Sequence, residues 1–251
     1  MVVEETGELL FLLSSADRLK LLRAIREERL RPSRLSSKLS ITVQETSRQL
    51  SRLHAAGLVE RDDKGLYLLT GLGRVLLQLR PSFEFLVQRR KYLLSHDLSF
   101  IPPEFVERIG ELLQNEYGET VGRVLDHFEQ VLSEAREYVW LMADQVLMVD
   151  AIAEKMLDSD PVTWRIIIPA SVTREEDQQL PSNDFKGRVE LGVLDQVRMG
   201  MSLNERSAGI TFPDREGRVD FDSGLRSSDS DFHRWCEDYF LFQWGSAKKI
   251  L

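Results

Sequence analysis

The chain has 251 residues, and its 42% hydrophobic and 29% charged composition is typical of a folded protein with a buried core. Its one cysteine, Cys236, excludes an intrachain disulfide and a cysteine-rich zinc finger. The N-terminal residues lack the basic and apolar segments of a secretory signal, and no apolar stretch is long enough to cross a membrane. We therefore expect a soluble cytoplasmic protein with no membrane partner.

Charge is distributed unevenly along the chain. Residues 1–95 carry 17 Lys and Arg against 11 Asp and Glu, a net charge of +6, whereas residues 96–251 carry 16 against 30, a net charge of −14. The total of −8 therefore hides a basic N-terminal part. Because a basic surface can approach phosphate without repulsion, this part is the candidate for nucleic-acid binding.

The first predicted helices follow from capping patterns. Ser14 and Asp17 have the spacing of a capping box before a helix at residues 18–28, and Pro32 opens a short second helix. Thr42 starts another capping-box pattern, which predicts a third helix that runs to about residue 56 and is terminated by Gly57.

A β-hairpin is predicted directly after these helices. The runs 58–61 and 66–69 are β-prone, and the residues 62–65 between them have the composition of a hairpin turn. Thr70 then caps a further helix, which we expect Pro81 to interrupt. Two helices joined by a tight turn and followed by a hairpin predict a winged helix-turn-helix.

The helix at residues 43–56 is the predicted recognition helix. Its expected inward face carries Val43, Thr46, Leu50 and Leu53. Its outward face is rich in short or forked hydrogen-bonding side chains, as a groove-reading surface requires. We expect base-edge contacts from Gln44, Ser47 and Arg48, and phosphate contacts from Ser51 and Arg52. Lys64 at the wing tip is expected to reach a flanking phosphate or a minor groove.

A second interpretation of the same helix stays open. A polar helix face is also typical of simple exposure to solvent, and winged-helix domains also serve as protein-interaction modules. The alternative function is therefore an interaction scaffold that does not bind DNA. The Ser, Gln and Arg content of the outward face and the local basic charge favour duplex DNA as the partner.

The N-terminal part resembles the arsenic-repressor-type winged-helix regulators. The resemblance is carried by residues 13–22, by the turn at residues 35–42, and by the helix exit and wing at residues 53–61 and 69–73. It implies a DNA-binding domain and leaves the target open. Metal-sensing members use Cys or His ligands, but residues 1–95 contain only His54 and no cysteine, so metal sensing is not implied.

The C-terminal part mixes helices with strands. Helices are predicted at residues 121–136, 146–157 and 229–247, and strands at residues 138–143, 164–168, 189–194, 198–203 and 209–212. The strands alternate with helices in some places and cluster in others. The expected fold class is therefore α+β, with an N-terminal winged helix-turn-helix followed by a mixed α/β domain.

Four strings of the second part are distinctive, namely residues 96–102, 208–213, 217–220 and 235–244. In this order they resemble the middle domain of the archaeal methanogenesis-regulatory family of transcription regulators. The resemblance implies a domain for effector sensing or assembly. The pattern is also similar to the sugar-sensing domains of the maltose-type archaeal regulators, which implies a phospholipase-D-like fold.

Catalysis and metal binding lack their usual motifs. None of the four histidines has the His-x-Lys spacing of phospholipase D, and neither a serine-hydrolase elbow nor a phosphate-binding loop is present. His233 and Cys236 lie one helical turn apart, but no second Cys or His cluster completes a zinc site. We therefore expect no enzyme activity, no metal and no cofactor.

An aromatic stripe in the last predicted helix is expected to be mostly core, although one or two rings could instead line a pocket. The candidate ligand-binding residues are Arg165, Asp220, Trp235 and Asp238. Acidic surroundings of this kind suit a cationic or polyhydroxyl effector.

The predicted organisation has three parts. Residues 1–80 form the winged helix, residues 81–103 a helical linker and dimerisation segment, and residues 104–251 the sensing or assembly domain, with the change in character near residue 95. Symmetric operators require two heads, so we expect a homodimer that responds to a small-molecule effector.

Overall fold

The computed structural model describes residues 2–144, 162–172 and 188–250. The chain divides into two compact units, Met1–Pro81 and Ser82–Leu251. The first unit is mainly helical with one hairpin, and the second is built on a mixed sheet. The expected α+β class is confirmed. None of the helices in the described part of the chain is both long and apolar enough to span a membrane.

The first unit has the element order of a winged helix. Its helices are α1 (Val2–Leu13), α2 (Ala16–Glu27), α3 (Pro32–Leu39), α4 (Val43–Ala55) and the start of α5 (Gly71–Gln88). Strands β1 (Val59–Arg61) and β2 (Tyr67–Leu69) pair in antiparallel fashion. The core is filled by leucines that have no exposed surface, among them Leu21, Leu22, Leu35, Leu50 and Leu53. Burial of these side chains is the main force that holds the helices together.

The cap of α2 differs from the prediction. Ser15, not Ser14, is the N-cap residue, and its side-chain oxygen accepts a hydrogen bond from the Arg18 N–H at 3.4 Å. Ser14 instead donates its hydroxyl to the carbonyl of Phe11 at the end of α1. The predicted capping box is therefore wrong, because α1 extends to Leu13 and the hydroxyl of Ser14 is hydrogen-bonded to a carbonyl in the last turn of that helix.

The prediction for α4 and the hairpin is confirmed. Thr42 caps α4 by accepting a hydrogen bond from the Glu45 N–H at 3.1 Å, and Gly57 ends the helix with a φ of +70°, which favours glycine. In the wing turn, the carboxylate of Asp62 accepts backbone hydrogen bonds from Lys64 and Leu66. These local bonds hold the wing in a closed turn.

Pro81 lies inside α5 and does not end it, which overturns the predicted interruption. Proline removes one backbone hydrogen bond, so the helix must be held by other contacts. Leu77 on one side of Pro81 is buried in the core of the first unit, and Phe85 on the other side is buried in the core of the second. Packing of this kind contributes most of a helix's stability in a folded protein.

The second unit combines short helices with a sheet. Its helices are α6 (Arg90–Leu94), α7 (Pro103–Glu107), a 3₁₀-helix (Ile109–Leu113), α8 (Val121–Glu134) and α9 (Ser230–Ser246). Its strands are β3 (Glu116–Gly118), β4 (Tyr138–Met142), β5 (Thr163–Pro169), β6 (Val189–Leu194), β7 (Gly200–Asn204), β8 (Ala208–Thr211), β9 (Gly224–Ser227) and β10 (Lys248–Lys249). The predicted helix at residues 146–157 lies outside the described residues.

The sheet of the second unit has the strand order β10-β6-β5-β4-β7-β8-β9-β3 among the described residues. The pairs β4–β5 and β5–β6 are parallel, and the pairs from β4 to β3 on the other side are antiparallel. Side chains alternate between the two faces, as the strand geometry requires. One face packs against α9 and the short helices, and the other carries α8.

The segment at residues 81–103, predicted as a linker and dimerisation segment, contributes to the core of the second unit. Phe85, Tyr92 and Ile101 are buried there, and the Tyr92 hydroxyl accepts a hydrogen bond from the Phe212 N–H at 2.9 Å. Burial in this position raises the pKa of Tyr92 well above its usual value. The segment therefore belongs structurally to the second unit.

Candidate functional site

The outward face of α4 carries the residues predicted to contact nucleic acid. The predicted set is exposed in every case: Gln44, Ser47, Arg48, Ser51 and Arg52 on α4, and Lys64 at the wing tip. Thr46, Leu50 and Leu53 on the opposite face are completely buried. The structure thus brings the five predicted α4 side chains onto one solvent-facing surface, which we call the α4 face.

Val43 departs from the predicted inward face. It is the first residue of α4 and is 53% exposed, so it projects beyond the core. Gln49, which the periodicity did not place inside, is buried instead. A buried amide requires hydrogen-bond partners, and Gln49 has them on both sides.

A series of hydrogen bonds leads from the end of α1 to the α4 face. The buried guanidinium of Arg18 donates to the carbonyls of Phe11 and Leu12, and at 3.0 Å to Oε1 of Gln49. The amide nitrogen of Gln49 donates to Glu45, whose carboxylate lies 2.7 Å from Nη2 of Arg48. We call this series the Arg18–Arg48 series.

The electrostatics of the Arg18–Arg48 series follow from these contacts. Hydrogen bonds from Arg48 and Gln49 lower the pKa of the Glu45 carboxyl, and the same pairing raises the pKa of Arg48. Burial, together with the nearby charge of Arg52, lowers the pKa of the Arg18 guanidinium. The α4 face therefore presents a paired Arg48 next to a carboxylate.

The wing adds a basic residue that the prediction missed. Arg61 on β1 is exposed, and its guanidinium lies against Gly65 of the wing turn, where a side-chain Cβ would come within 3.0 Å of it. Gly65 has a φ of +78°, a conformation that favours glycine. The only available sequence cue was the position of Arg61 one residue before the turn.

Sequence comparison supports a known domain type for this unit. Residues 6–90 match the HVO_A0261 N-terminal domain. No curated protein matches the chain.

Solved structures resemble the chain at low sequence identity. TrmBL2, an archaeal chromatin protein whose structure shows a novel mode of DNA binding, aligns over 94% of this chain and 94% of its own, with 17% identity and a TM-score of 0.45. NucT from Helicobacter pylori aligns over 55% of this chain and 99% of its own, with 12% identity and a TM-score of 0.42. The phospholipase D family member Nuc from Salmonella typhimurium aligns over 55% and 97%, with 10% identity and a TM-score of 0.37.

The four predicted ligand-binding residues of the second unit do not converge on one site. Arg165 pairs with Glu190 at 2.7 Å and lies over the rings of Trp140 and Trp244. The Asp220 carboxylate accepts a hydrogen bond from Nε2 of His96 at 2.9 Å.

The other two candidates lie at α9. Trp235 is completely buried, and its indole N–H donates to the carbonyl of Phe105. Asp238 forms an ion pair with Arg108 at 2.7 Å. The aromatic stripe of α9 therefore lies mainly in the core, as one of the two interpretations expected.

His233 and Cys236, the pair on α9 with metal-ligand spacing, both lie in other local contacts. Nε2 of His233 lies 2.6 Å from the carbonyl of Asn204, and Cys236 is completely buried, which raises the pKa of its thiol. Among the described residues, no group of three His, Cys, Asp or Glu side chains could hold a metal ion.

A cavity of about 370 Å³ lies on the α8 face of the sheet, at residues that the sequence did not single out. None of the four predicted ligand-binding residues lines it. Glycines of β7, β8 and β9 lie along one side, and apolar side chains of β4, β5 and β6 along the other. The polar residues His127 of α8, Ser202 of β7 and Thr211 of β8 also line it.

Proposed function

We propose that the chain is a sequence-specific DNA-binding transcription regulator of the cytoplasm, with no enzymatic step. The observation that carries this proposal is the α4 face, which collects hydrogen-bonding and cationic side chains on an exposed helix. Winged-helix domains insert such a helix into the major groove of duplex DNA. The basic charge of residues 1–95 and the match of residues 6–90 to the HVO_A0261 N-terminal domain support the proposal.

The α4 face suggests a division of roles along the helix. Gln44, Ser47 and Arg48 lie in its N-terminal half and are assigned to base edges, while Ser51 and Arg52 are assigned to phosphates. At the wing, Lys64 and Arg61 are assigned to flanking phosphates. The phosphate contacts supply affinity, and the base contacts supply discrimination between sequences.

Dimerisation and effector response complete the proposal. Leu72, Val75 and Leu79 recur at spacings of three and four along α5, and all three are exposed although they are apolar. A helix with such a stripe is a suitable contact for the same helix of a second copy. The two winged-helix units of a dimer would match the two-fold symmetry of an operator. The second unit would change their affinity for DNA when it binds an effector.

Substitutions on the α4 face test the DNA-binding role directly. Arg48→Ala is expected to reduce the preference for cognate over random duplex by about tenfold, because a bidentate arginine contact discriminates between bases. Arg52→Ala is expected to weaken binding to both duplexes alike and to lower the slope of log affinity against log salt by about one unit. The cognate site is first located by footprinting on the DNA upstream of the protein's own coding region. Binding is then measured by fluorescence anisotropy with labelled duplexes at several salt concentrations.

The control is Arg26→Ala, which removes the same charge from an exposed position on α2. It should leave the preference between duplexes unchanged. An equal loss on cognate and random DNA for Arg48→Ala would contradict the base-reading role. Absence of DNA binding by the unmodified protein at low salt would instead favour the interaction-scaffold function.

Glu45→Gln is expected to tighten binding to every duplex, by about threefold to tenfold at low salt. The substitution removes a negative charge beside the α4 face, while the amide oxygen can still accept hydrogen bonds from Gln49 and Arg48. Glu8→Gln on α1 removes an equal charge from another exposed position and serves as the control. An unchanged affinity for Glu45→Gln would place α4 away from the phosphates.

A further inference from the structure

The cavity of the second unit contains polar atoms without partners. His127 and Thr211 are both more than nine-tenths buried. Among the described residues Oγ1 of Thr211 has no hydrogen-bond partner, and neither ring nitrogen of His127 has one with good geometry, although the Ala208 backbone lies near enough to the ring to act against the lowering of its pKa. Buried polar groups in folded proteins are nearly always paired, because an unpaired group loses its hydration without compensation. Two such groups at the edge of one cavity are atoms with which a molecule bound there would pair.

Glycines of neighbouring strands allow His127 and Thr211 to lie close against the sheet. A Cβ on Gly209 would come within 2.5 Å of the His127 ring, and a Cβ on Gly200 within 2.4 Å of Oγ1 of Thr211. Gly224 on β9 makes a similar approach, since its Cβ would lie 2.9 Å from Cγ2 of Thr211. These side chains thus occupy the space that a Cβ would fill, and all three glycines line the cavity.

The charges at the cavity determine which ligands fit it. Burial, with the charge of Arg226 adding to it, lowers the pKa of His127 to about 4, so the imidazole is neutral near pH 7. Arg226 itself is paired with Glu116 at 2.9 Å, and the remaining charged lining residues, Arg123 and Asp126, are exposed and of opposite sign. No uncompensated charge faces the buried end of the cavity in the described part of the chain.

The geometry points to a binding site for a small neutral molecule with an apolar body and at least one hydrogen-bonding group. The apolar strand residues would cover the body, while Thr211 and His127 supply a hydroxyl and a neutral imidazole, each able to donate and to accept. A charged ligand would lose its hydration without gaining a counter-charge. The effect of such a ligand on DNA binding rests on the proposed function, in which the second unit responds to an effector. The binding itself is measurable without DNA.

A pair of fluorescent probes tests both the site and its preference for neutral ligands. N-phenyl-1-naphthylamine is neutral, has an apolar body and carries one N–H group, and its 8-sulfonate differs by one negative charge. With the full-length protein and no DNA, the neutral probe is expected to show saturable fluorescence enhancement at one site per chain. The sulfonate is expected to bind at least tenfold more weakly at that site. Equal affinity for the two probes, or no saturable binding of the neutral one, would overturn the proposal.

Thr211→Val assigns the binding to this cavity, because the substitution keeps the side-chain shape and removes only the hydroxyl. Affinity for the neutral probe is expected to fall about fivefold to tenfold. The thermal midpoint of the protein without probe should stay constant or rise, since an unpaired buried hydroxyl is lost. A hydroxyl with a purely structural role would instead lower the midpoint and leave probe binding unchanged, which would contradict the proposal.

Ser207→Ala is the matched control. Ser207 also has a buried and unpartnered hydroxyl, but it does not line the cavity. Its substitution should leave probe affinity unchanged, and a loss equal to that of Thr211→Val would show that the probe binds elsewhere. Loss of DNA binding in the α4-face variants leaves the probe result intact, so failure of the proposed function and failure of this inference are distinguishable.

Discussion

Gly73→Ala is expected to destabilise the first unit by at least about 3 kcal/mol. A Cβ at this position would lie 2.1 Å from the carbonyl oxygen of Leu58, a distance that no pair of non-bonded atoms tolerates. That carbonyl accepts a hydrogen bond from the Thr70 N–H, and Leu58 is completely buried. Neither side can therefore move without loss of packing or of the hairpin connection.

Gly71→Ala is the control for this substitution, in the same helix and two residues earlier. A Cβ there would meet nothing within 4 Å, so the change is expected to stabilise the unit by about 0.4–1 kcal/mol, because alanine lowers the conformational entropy of the unfolded chain. Denaturant unfolding followed by circular dichroism measures both variants. Similar stability of the two variants would show that Gly73 of α5 and the carbonyl of Leu58 are not in the close contact described above.

The second unit is expected to lose stability as the pH falls from about 6.5 to 4, because of His127. Its folded-state pKa of about 4 lies below the unfolded value of about 6.5, so in this range the unfolded state binds a proton that the folded state does not. Stability from the neutral buried imidazole is thus fully present above pH 6.5. About 3 kcal/mol is lost by pH 4 on this account, of which about 2 kcal/mol is lost by pH 5.

The difference between the protein and its His127→Phe variant isolates this contribution from other titrating groups. All four tryptophans lie at positions 140–244, so their fluorescence during urea unfolding reports on the second unit. The free energy of unfolding of the variant minus that of the unmodified protein is expected to rise by about 2 kcal/mol as the pH falls from 7 to 5. A stability difference that does not change with pH would mean that His127 titrates normally in the folded state.

The winged helix could be predicted from the sequence because each of its boundaries is encoded locally. Thr42 and Gly57 cap α4 through bonds and angles within a few residues, and the wing turn closes on Asp62 in the same way. The failures in this unit are equally local. Ser14 and Ser15 are both suitable caps, and only the length of α1 decides between them.

The cavity could not be predicted, because its parts come from distant positions in the sequence. His127 lies on α8 and Gly209 and Thr211 on β8, and they meet only because the sheet places β8 between β7 and β9 under that helix. Strands β3 and β9 were missed for a related reason. They have three and four residues, too few to show an alternating pattern.

The four predicted ligand-binding residues do not lie together, because residue type alone does not distinguish a core position from a pocket position. A tryptophan, an arginine and two acids are common in ligand sites, but Trp235 satisfies its indole N–H with a backbone carbonyl inside the core. Asp238 and Arg165 are held by ion pairs with their own neighbours. The glycines of β7, β8 and β9 were the more informative residues, since they allow polar side chains to lie against the sheet.

The Arg18–Arg48 series has a direction that the amide of Gln49 fixes. Gln49 accepts from Arg18 only through its carbonyl oxygen and donates to Glu45 only through its nitrogen, so a turned amide would break both contacts. The conformation of the exposed Arg48 is therefore set from the buried interior of the unit. Long side chains lose rotamer entropy when they bind a partner, and for Arg48 part of that loss has already occurred on folding.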